Sequence, residues 1–199
     1  MAYHAEVAEV TGEKGSFAIK TAKGDVFHAE NIVLAIGTQG NPNRMRCEGA
    51  DLPHIIYQVD DPEDFKDKHI TVVGSGDAGI ENALGLAADP AQRNMVTILN
   101  RGADFARSKP ANVALLNEAA EAGRLTIRLE TSPAQVREGE LVLDTRDGQE
   151  TIRCDRIIAR MGSAPPRGFV EACGIAFSSA DRQALPVLSP VFERSEERR

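Results

Sequence analysis

The period of the apolar positions changes along the chain. In residues 3–10 apolar and polar side chains alternate, with Ala5, Val7 and Ala8 set among His4, Glu6 and Glu9. A turn across Thr11-Gly12-Glu13-Lys14-Gly15 leads into Ser16-Phe17-Ala18-Ile19-Lys20. A second turn, Ala22-Lys23-Gly24-Asp25, leads into Val26-Phe27-His28. Period-two segments between glycine turns predict a small antiparallel meander. The next segment, Ile32-Val33-Leu34-Ala35-Ile36, is an unbroken apolar run and predicts a strand covered on both faces. It ends at Gly37-Thr38, ahead of the loop Gly40-Asn41-Pro42-Asn43. Between Arg44 and Lys68 the pattern predicts mostly loop. A short helix is expected at residues 60–65, where Pro62 stands near a helix start and acids fill the first turn.

From residue 69 onward, strand and helix periods alternate. Ile70-Thr71-Val72-Val73 reads as a strand. A helix-period segment follows, with Ile80, Ala83, Leu84 and Ala87 on one face, and should stop near Ala88-Asp89-Pro90. Residues 95–99 predict a second strand. Residues 111–121 predict a helix carrying Val113, Leu116 and Ala120, with Gly123 as its stop. Residues 125–129 predict a third strand. Three alternating segments at 135–137, 140–144 and 150–153, separated by Glu138-Gly139 and Asp147-Gly148, predict a second antiparallel meander. Residues 155–160 return as a strand, residues 169–173 suit a short helix, and the charged tail from Arg194 should fray. The order β-α-β-α-β with right-handed crossovers predicts an α/β, Rossmann-like three-layer fold. Its central parallel sheet would have helices on one face and the meander of residues 134–153 on the other.

The junction between the first of these strands and its helix carries the candidate chemistry. It is a G-x-G-x-x-G turn formed by Gly74, Gly76 and Gly79, the context in which a dinucleotide fingerprint is meaningful. Gly74 would make the tight turn, Gly76 would let a pyrophosphate approach the backbone, and Gly79 would let the helix pack against the strand. Phosphate binding then falls mostly to backbone N–H groups of Gly74, Ser75, Gly76, Asp77, Ala78 and Gly79, assisted by the positive end of the helix dipole. For the Asp77 side chain, capping or dipole compensation is the expected role rather than acid–base chemistry. At the end of the second strand an NAD site commonly places a carboxylate for the ribose 2′-OH; this chain has Asn100 followed by Arg101. Arg101 can receive a 2′-phosphate, and Arg107 and Lys109 add charge nearby, so NADPH is expected over NADH.

Composition narrows the choice of function. At 199 residues the chain is one domain, or one with appendages. A net charge of −7 with no concentrated basic stretch argues against nucleic acid as a partner. No apolar run is long enough to span a bilayer, and no signal-peptide pattern opens the chain, so no membrane partner and a cytoplasmic location are expected. Cys47, Cys154 and Cys173 are far apart and form no C-x-x-C pair, which disfavours a disulfide framework, a zinc site and a dithiol centre. His4, His28, His54 and His69 lack ligand or triad spacing and are expected to be structural or surface residues, with no metal bound.

Four stretches together resemble a known family, the flavin-dependent pyridine-nucleotide oxidoreductases of the thioredoxin-reductase type. Residues 32–38 are similar to the strand end where the chain leaves the flavin domain for the nucleotide domain. Residues 72–79 resemble that family's NAD(P) fingerprint. Val96-Thr97-Ile98-Leu99-Asn100-Arg101-Gly102, continuing through Lys109, resembles the second strand and 2′-phosphate loop. Residues 155–166, D-x-I-I-A-x-x-G-x-x-P, resemble the strand that closes the nucleotide domain. The likeness is strongest to the dithiol-lacking branch, similar to bacillithiol-disulfide reductases and thioredoxin-reductase-like ferredoxin reductases. Where thioredoxin reductases carry C-x-x-C, this chain has His54-Ile55-Ile56-Tyr57-Gln58-Val59.

The resemblance implies residues 1–40 as strands and junction of a flavin-binding domain, 41–166 as the NAD(P)-binding domain, and 167–199 as a return segment and tail. It implies a domain that positions NADPH for hydride transfer to FAD, with Gly162 near the nicotinamide ribose and no catalytic side chain. The FAD fingerprint is not in this sequence, so flavin binding by this chain alone is not expected. A further electron acceptor is implied without being identified, and a homodimer is compatible with the family. Two alternatives remain open at this point. One is a non-catalytic nucleotide-sensing or interaction module. The other, weaker, is a methyltransferase using S-adenosylmethionine, which Asn100 fits poorly because that fold wants an acid there.

Overall fold

A computed structural model describes residues 1–37, 40–164, 166–181, 184–191 and 193. The chain forms two compact units, Met1–Asn41 with Ala164–Arg199, and Pro42–Ser163. In the first, β1 (Val7–Glu13), β2 (Ser16–Thr21) and β3 (Val26–Ala29) make the expected antiparallel meander in the order β1-β2-β3. The first turn is tighter than the pattern suggests: β1 runs through Glu13, and only Lys14-Gly15 close the hairpin, with Gly15 at φ +91°. The same unit holds a short helix, Arg167–Ala172.

The apolar run at residues 32–36 is a correction. It forms no strand, and Val33 and Ile36 are 88% and 49% exposed. A continuous apolar run becomes a buried strand only when neighbours supply a hydrogen-bond ladder and cover both faces. No described strand pairs with this one. Thr38, at the end of the run, and the charged tail from Arg194 lie outside the described residues.

The second unit is the expected three-layer structure. Its parallel sheet contains β4 (Ile55–Ile56), β5 (His69–Val73), β6 (Met95–Leu99) and β7 (Leu125–Arg128). The antiparallel strands β8 (Ser132–Arg137), β9 (Glu140–Thr145) and β10 (Gly148–Arg153) form the second meander. The chain then returns to the parallel sheet as β11 (Arg156–Ala159), giving the order β4-β11-β5-β6-β7. Two helices connect the strands, α1 (Asp77–Leu86) between β5 and β6, and α2 (Pro110–Glu121) between β6 and β7. Strand β4 falls where the pattern predicts loop. Two residues carry no period; their pairing with Ile157 and Ile158 makes them a strand. The short helix expected at residues 60–65 is a single 3-10 turn, Pro62–Asp64, capped by the Asp61 carboxylate.

Alternation along the strands sorts the core into two layers. Ile70, Val72, Val96, Ile98, Leu125 and Ile158 belong with the buried residues of α1 and α2, among them Ile80, Ala83, Leu86, Leu116 and Ala119. Val73, Leu99, Ile157 and Ala159 belong with Val136, Leu141 and Leu143 of the meander. Successive side chains of one strand point to opposite faces, so a strand covered on both sides must be apolar at nearly every position. Each fully buried aliphatic side chain contributes about 1.5–3 kcal/mol. Among the described residues no helix is long and apolar enough to cross a membrane.

Candidate functional site

The glycine turn lies at the carboxyl end of β5. From β5 the chain crosses over α1 to β6 on one side; the strand on the other side, β11, arrives only after the whole meander. The carboxyl end of β5 is therefore the point where strand order reverses, the place where open α/β sheets form a ligand crevice.

Each glycine of the turn has a different environment. Gly74 has φ +123°, and an added Cβ would overlap the Arg160 carbonyl oxygen. Gly79 is buried, and its Cβ would overlap the Gly74 carbonyl oxygen, so α1 can approach β5 only with glycine there. Gly76 differs from both. It caps α1 with φ −79° and ψ 171°, is exposed, and an added Cβ would meet nothing within 4 Å. The packing of the protein does not require glycine at this position. Gly76 offers no side-chain cap, and among the described residues nothing accepts from the main-chain N–H groups of Gly76, Asp77 and Ala78. These are the unspent donors with which a helix start receives an anion.

The Asp77 carboxylate is engaged elsewhere. It accepts from the Lys109 main-chain N–H at 2.8 Å and from the Asn112 side-chain amide at 2.9 Å. The Lys109 N–H, the larger cause, and the Asn112 amide hold its carboxyl below the usual carboxylate range. Asp77 thus links the starts of α1 and α2.

The loop after β6 is organised by Asn100, which is 4% exposed. Its carboxamide oxygen accepts from the Ser75 hydroxyl and the Gly102 N–H, both at 2.9 Å, and its NH2 group donates to the Asp104 carbonyl. The Ser108 hydroxyl donates to the Ser75 carbonyl at 2.6 Å. Asn100 and Ser75 therefore join the glycine turn to the loop, with their side chains spent inside the protein. Arg101, Arg107 and Lys109 are exposed on the same loop, and among the described residues no carboxylate forms an ion pair with Arg101 or Arg107.

Gly162 follows β11 with φ +76°, and its carbonyl accepts from the Asn43 N–H at 3.0 Å. The Asn43 side chain donates to the Met161 carbonyl at 3.0 Å, which pins this bend. Arg160 is absent from the sequence-based site and lies against the glycine turn. Its Nη1 donates to the Tyr57 carbonyl at 2.7 Å, and its Nε is buried without a hydrogen-bond partner among the described residues. The available signal was a cation directly after the apolar Ile157-Ile158-Ala159.

Burial pushes the thiols of Cys47, Cys154 and Cys173 up, Cys154 also donating to Thr71 Oγ1 at 3.3 Å. A raised thiol is the opposite of an activated thiolate nucleophile.

The layer order and the glycine turn at the switch point define a Rossmann-like α/β protein. A sequence profile described as pyridine nucleotide-disulphide oxidoreductase matches residues 1–195, and the chain belongs to that family. It is 29% identical over 191 residues to a ferredoxin–NADP reductase of Beijerinckia indica, a match covering 92% of this chain and 54% of the relative. It is 26% identical over 167 residues to the bacilliredoxin reductase Bdr of Bacillus subtilis, covering 82% and 50%. Among solved structures, bacillithiol disulfide reductase Bdr of Staphylococcus aureus superposes with a TM-score of 0.81 at 24% identity, covering 94% of this chain and 57% of that one. Thioredoxin reductase of T. acidophilum gives 0.77 at 18% identity, covering 96% and 62%. The chain thus spans about half the length of the reductases it matches.

Proposed function

We propose that the Pro42–Ser163 unit binds NADPH across the carboxyl edge of its parallel sheet, as the pyridine-nucleotide domain of a flavin-dependent reductase. The observation that carries this reading is Gly76, the one fingerprint glycine that no protein contact requires, placed beside the unspent N–H groups of α1. Glycine at such a position is accounted for by a ligand that needs the space. The pyrophosphate would lie over residues 74–79, held by backbone N–H groups. Arg101 and Arg107, exposed and without carboxylate partners among the described residues, would receive the 2′-phosphate. Asn100 supports this indirectly, by holding the loop that presents Arg101 and by adding no negative charge. Gly162 and the bend after β11 would border the nicotinamide half.

Within the whole protein NADPH would supply a hydride and FAD would accept it, one losing and the other gaining two electrons. Residues of this unit would bind and orient, and none need exchange a proton with the reacting atoms. The electron acceptor beyond the flavin belongs to the same proposal: the relatives named above are reductases of ferredoxin and of bacilliredoxin.

Calorimetric titration of the 199-residue chain with NADPH, NADH and 2′,5′-ADP tests the binding. NADPH and 2′,5′-ADP should bind, and NADH should bind more weakly. Absence of binding by all three would overturn the reading. In a full-length protein, bleaching of bound-flavin absorbance on adding NADPH is expected; binding without bleaching would favour a non-catalytic nucleotide-sensing module.

A further inference from the structure

A second feature of the Pro42–Ser163 unit lies toward the amino end of the parallel sheet, away from the glycine turn. A cavity of about 380 Å³ opens there between β5, β6 and β7 and the last meander strand, β10. Thr71, Thr97 and Thr126 line it, and they stand in direct register across the three strands. The residues one place earlier, Ile70, Val96 and Leu125, pack into the helix-side core. Strand alternation therefore turns a row of hydroxyls toward the meander side. The Thr71 hydroxyl accepts from the Cys154 thiol at 3.3 Å. The Thr97 and Thr126 hydroxyls have no hydrogen-bond partner among the described residues.

The charged residues of the lining are all cations. Arg124, Arg128 and Arg153 border the cavity, and no Asp or Glu does, although acids outnumber Lys and Arg by 30 to 23 in the chain. Arg128 is spent on a two-point pair with Glu150, at 2.5 and 3.0 Å. The other two are not spent in this way. Arg153 approaches Asp155 only to 3.5 Å and Arg124 approaches Glu118 only to 3.9 Å, beyond the length of a charge-assisted hydrogen bond. Their guanidinium donors remain available at the rim. Thr126 is exposed and Thr97 half-buried, so both hydroxyls are open to a ligand that enters from solvent.

We propose that this cavity binds a small organic anion. Arg124 and Arg153 would hold its phosphate or carboxylate group, and the Thr97 and Thr126 hydroxyls its polar body. The volume is at the low end of small-molecule sites, which suits a compact metabolite rather than a dinucleotide. The β5 residue of the lining nearest the glycine turn, Thr71, is three residues from Gly74, about 10 Å along the strand at roughly 3.3 Å per residue. The two sites are therefore independent, and this one stands whether or not the unit binds NADPH.

The test is residue-resolved. The ¹⁵N-labelled 199-residue chain is titrated by NMR with sodium phosphate, with sodium succinate, and with sodium chloride at matched ionic strength. Saturating shifts are expected at the amides of Arg124, Thr97, Thr126 and Arg153 with phosphate, succinate or both, the more strongly bound probe identifying the group recognised. Arg124→Gln and Thr97→Val should each weaken that binding at least threefold while resonances elsewhere stay in place. The proposal is overturned if chloride produces the same shifts, if shifts are confined to residues 74–79, or if neither variant changes the affinity.

Discussion

Gly76 and Gly79 stand three residues apart in one motif, yet their substitution by alanine should have opposite consequences. At Gly79 the new Cβ overlaps the Gly74 carbonyl oxygen, a backbone atom that cannot rotate away. Either α1 moves off β5 or the turn distorts. Overpacking of this kind costs typically 1–3 kcal/mol, and a backbone neighbour puts it at about 3 kcal/mol or more. For a chain of this size each kcal/mol lowers the melting temperature by about 2–4 °C, so Gly79→Ala should melt about 6–12 °C below the wild type. At Gly76 the Cβ enters open space, and φ −79° with ψ 171° is ordinary extended backbone that any residue adopts. Loss of a favourable cap residue and the reduced entropy of the unfolded chain nearly cancel, leaving a change within about 1 kcal/mol. Gly76→Ala should nevertheless weaken NADPH by at least about tenfold, or about 1.4 kcal/mol, because the methyl takes the room of the pyrophosphate. Thermal melts followed by circular dichroism and calorimetric titration of both variants decide the matter. A folded Gly76→Ala protein with wild-type affinity would remove the turn from the binding account. A Gly79→Ala protein as stable as the wild type would refute the packing argument.

Arg101→Ala should cost about tenfold in NADPH affinity, about 1.5 kcal/mol for one charge-assisted bond at an exposed site, and leave NADH nearly unchanged; equal loss of both cofactors in paired titrations would reassign the preference. Asn100→Asp removes the NH2 donor to the Asp104 carbonyl and places an acceptor there instead, so the denaturation midpoint should drop by the equivalent of about 2 kcal/mol, with both cofactors weakened; an unchanged midpoint would show that the loop does not depend on Asn100. Asp77 has a carboxyl held below the usual range, first by the Lys109 N–H. Its folded pKa is lower than its unfolded one, so its stabilisation is present above the ordinary Asp range and is lost as pH falls through the lowered folded value. Asp77→Asn should therefore be less stable than the wild type at neutral pH, with the gap closing in acid; a gap constant with pH across urea melts would mean the charge is not what links α1 to α2.

The strand, turn and helix around Gly74, Gly76 and Gly79 were readable from the sequence because each signal there is local. An apolar run, glycines at fixed offsets and a helical period depend on neighbouring residues only. The same holds for the two meanders, whose glycine turns separate alternating segments. Three features needed the tertiary structure. Ile55-Ile56 is too short to carry a period and is a strand only through Ile157 and Ile158. Residues 32–36 have the composition of a buried strand and form none among the described residues, because burial depends on a partner that composition cannot supply. The division of labour within the motif was also hidden. Asn100 reads as a ligand-facing position and the Asp77 side chain as a cap or dipole partner of its own helix, but long-range hydrogen bonds turn Asn100 to Ser75 and Asp104, and Asp77 to Lys109 and Asn112 of the next helix. Sequence spacing sets which residues arrive at one place. Which donors and acceptors remain unspent for a ligand is settled only by the partners that tertiary contact brings within about 3 Å.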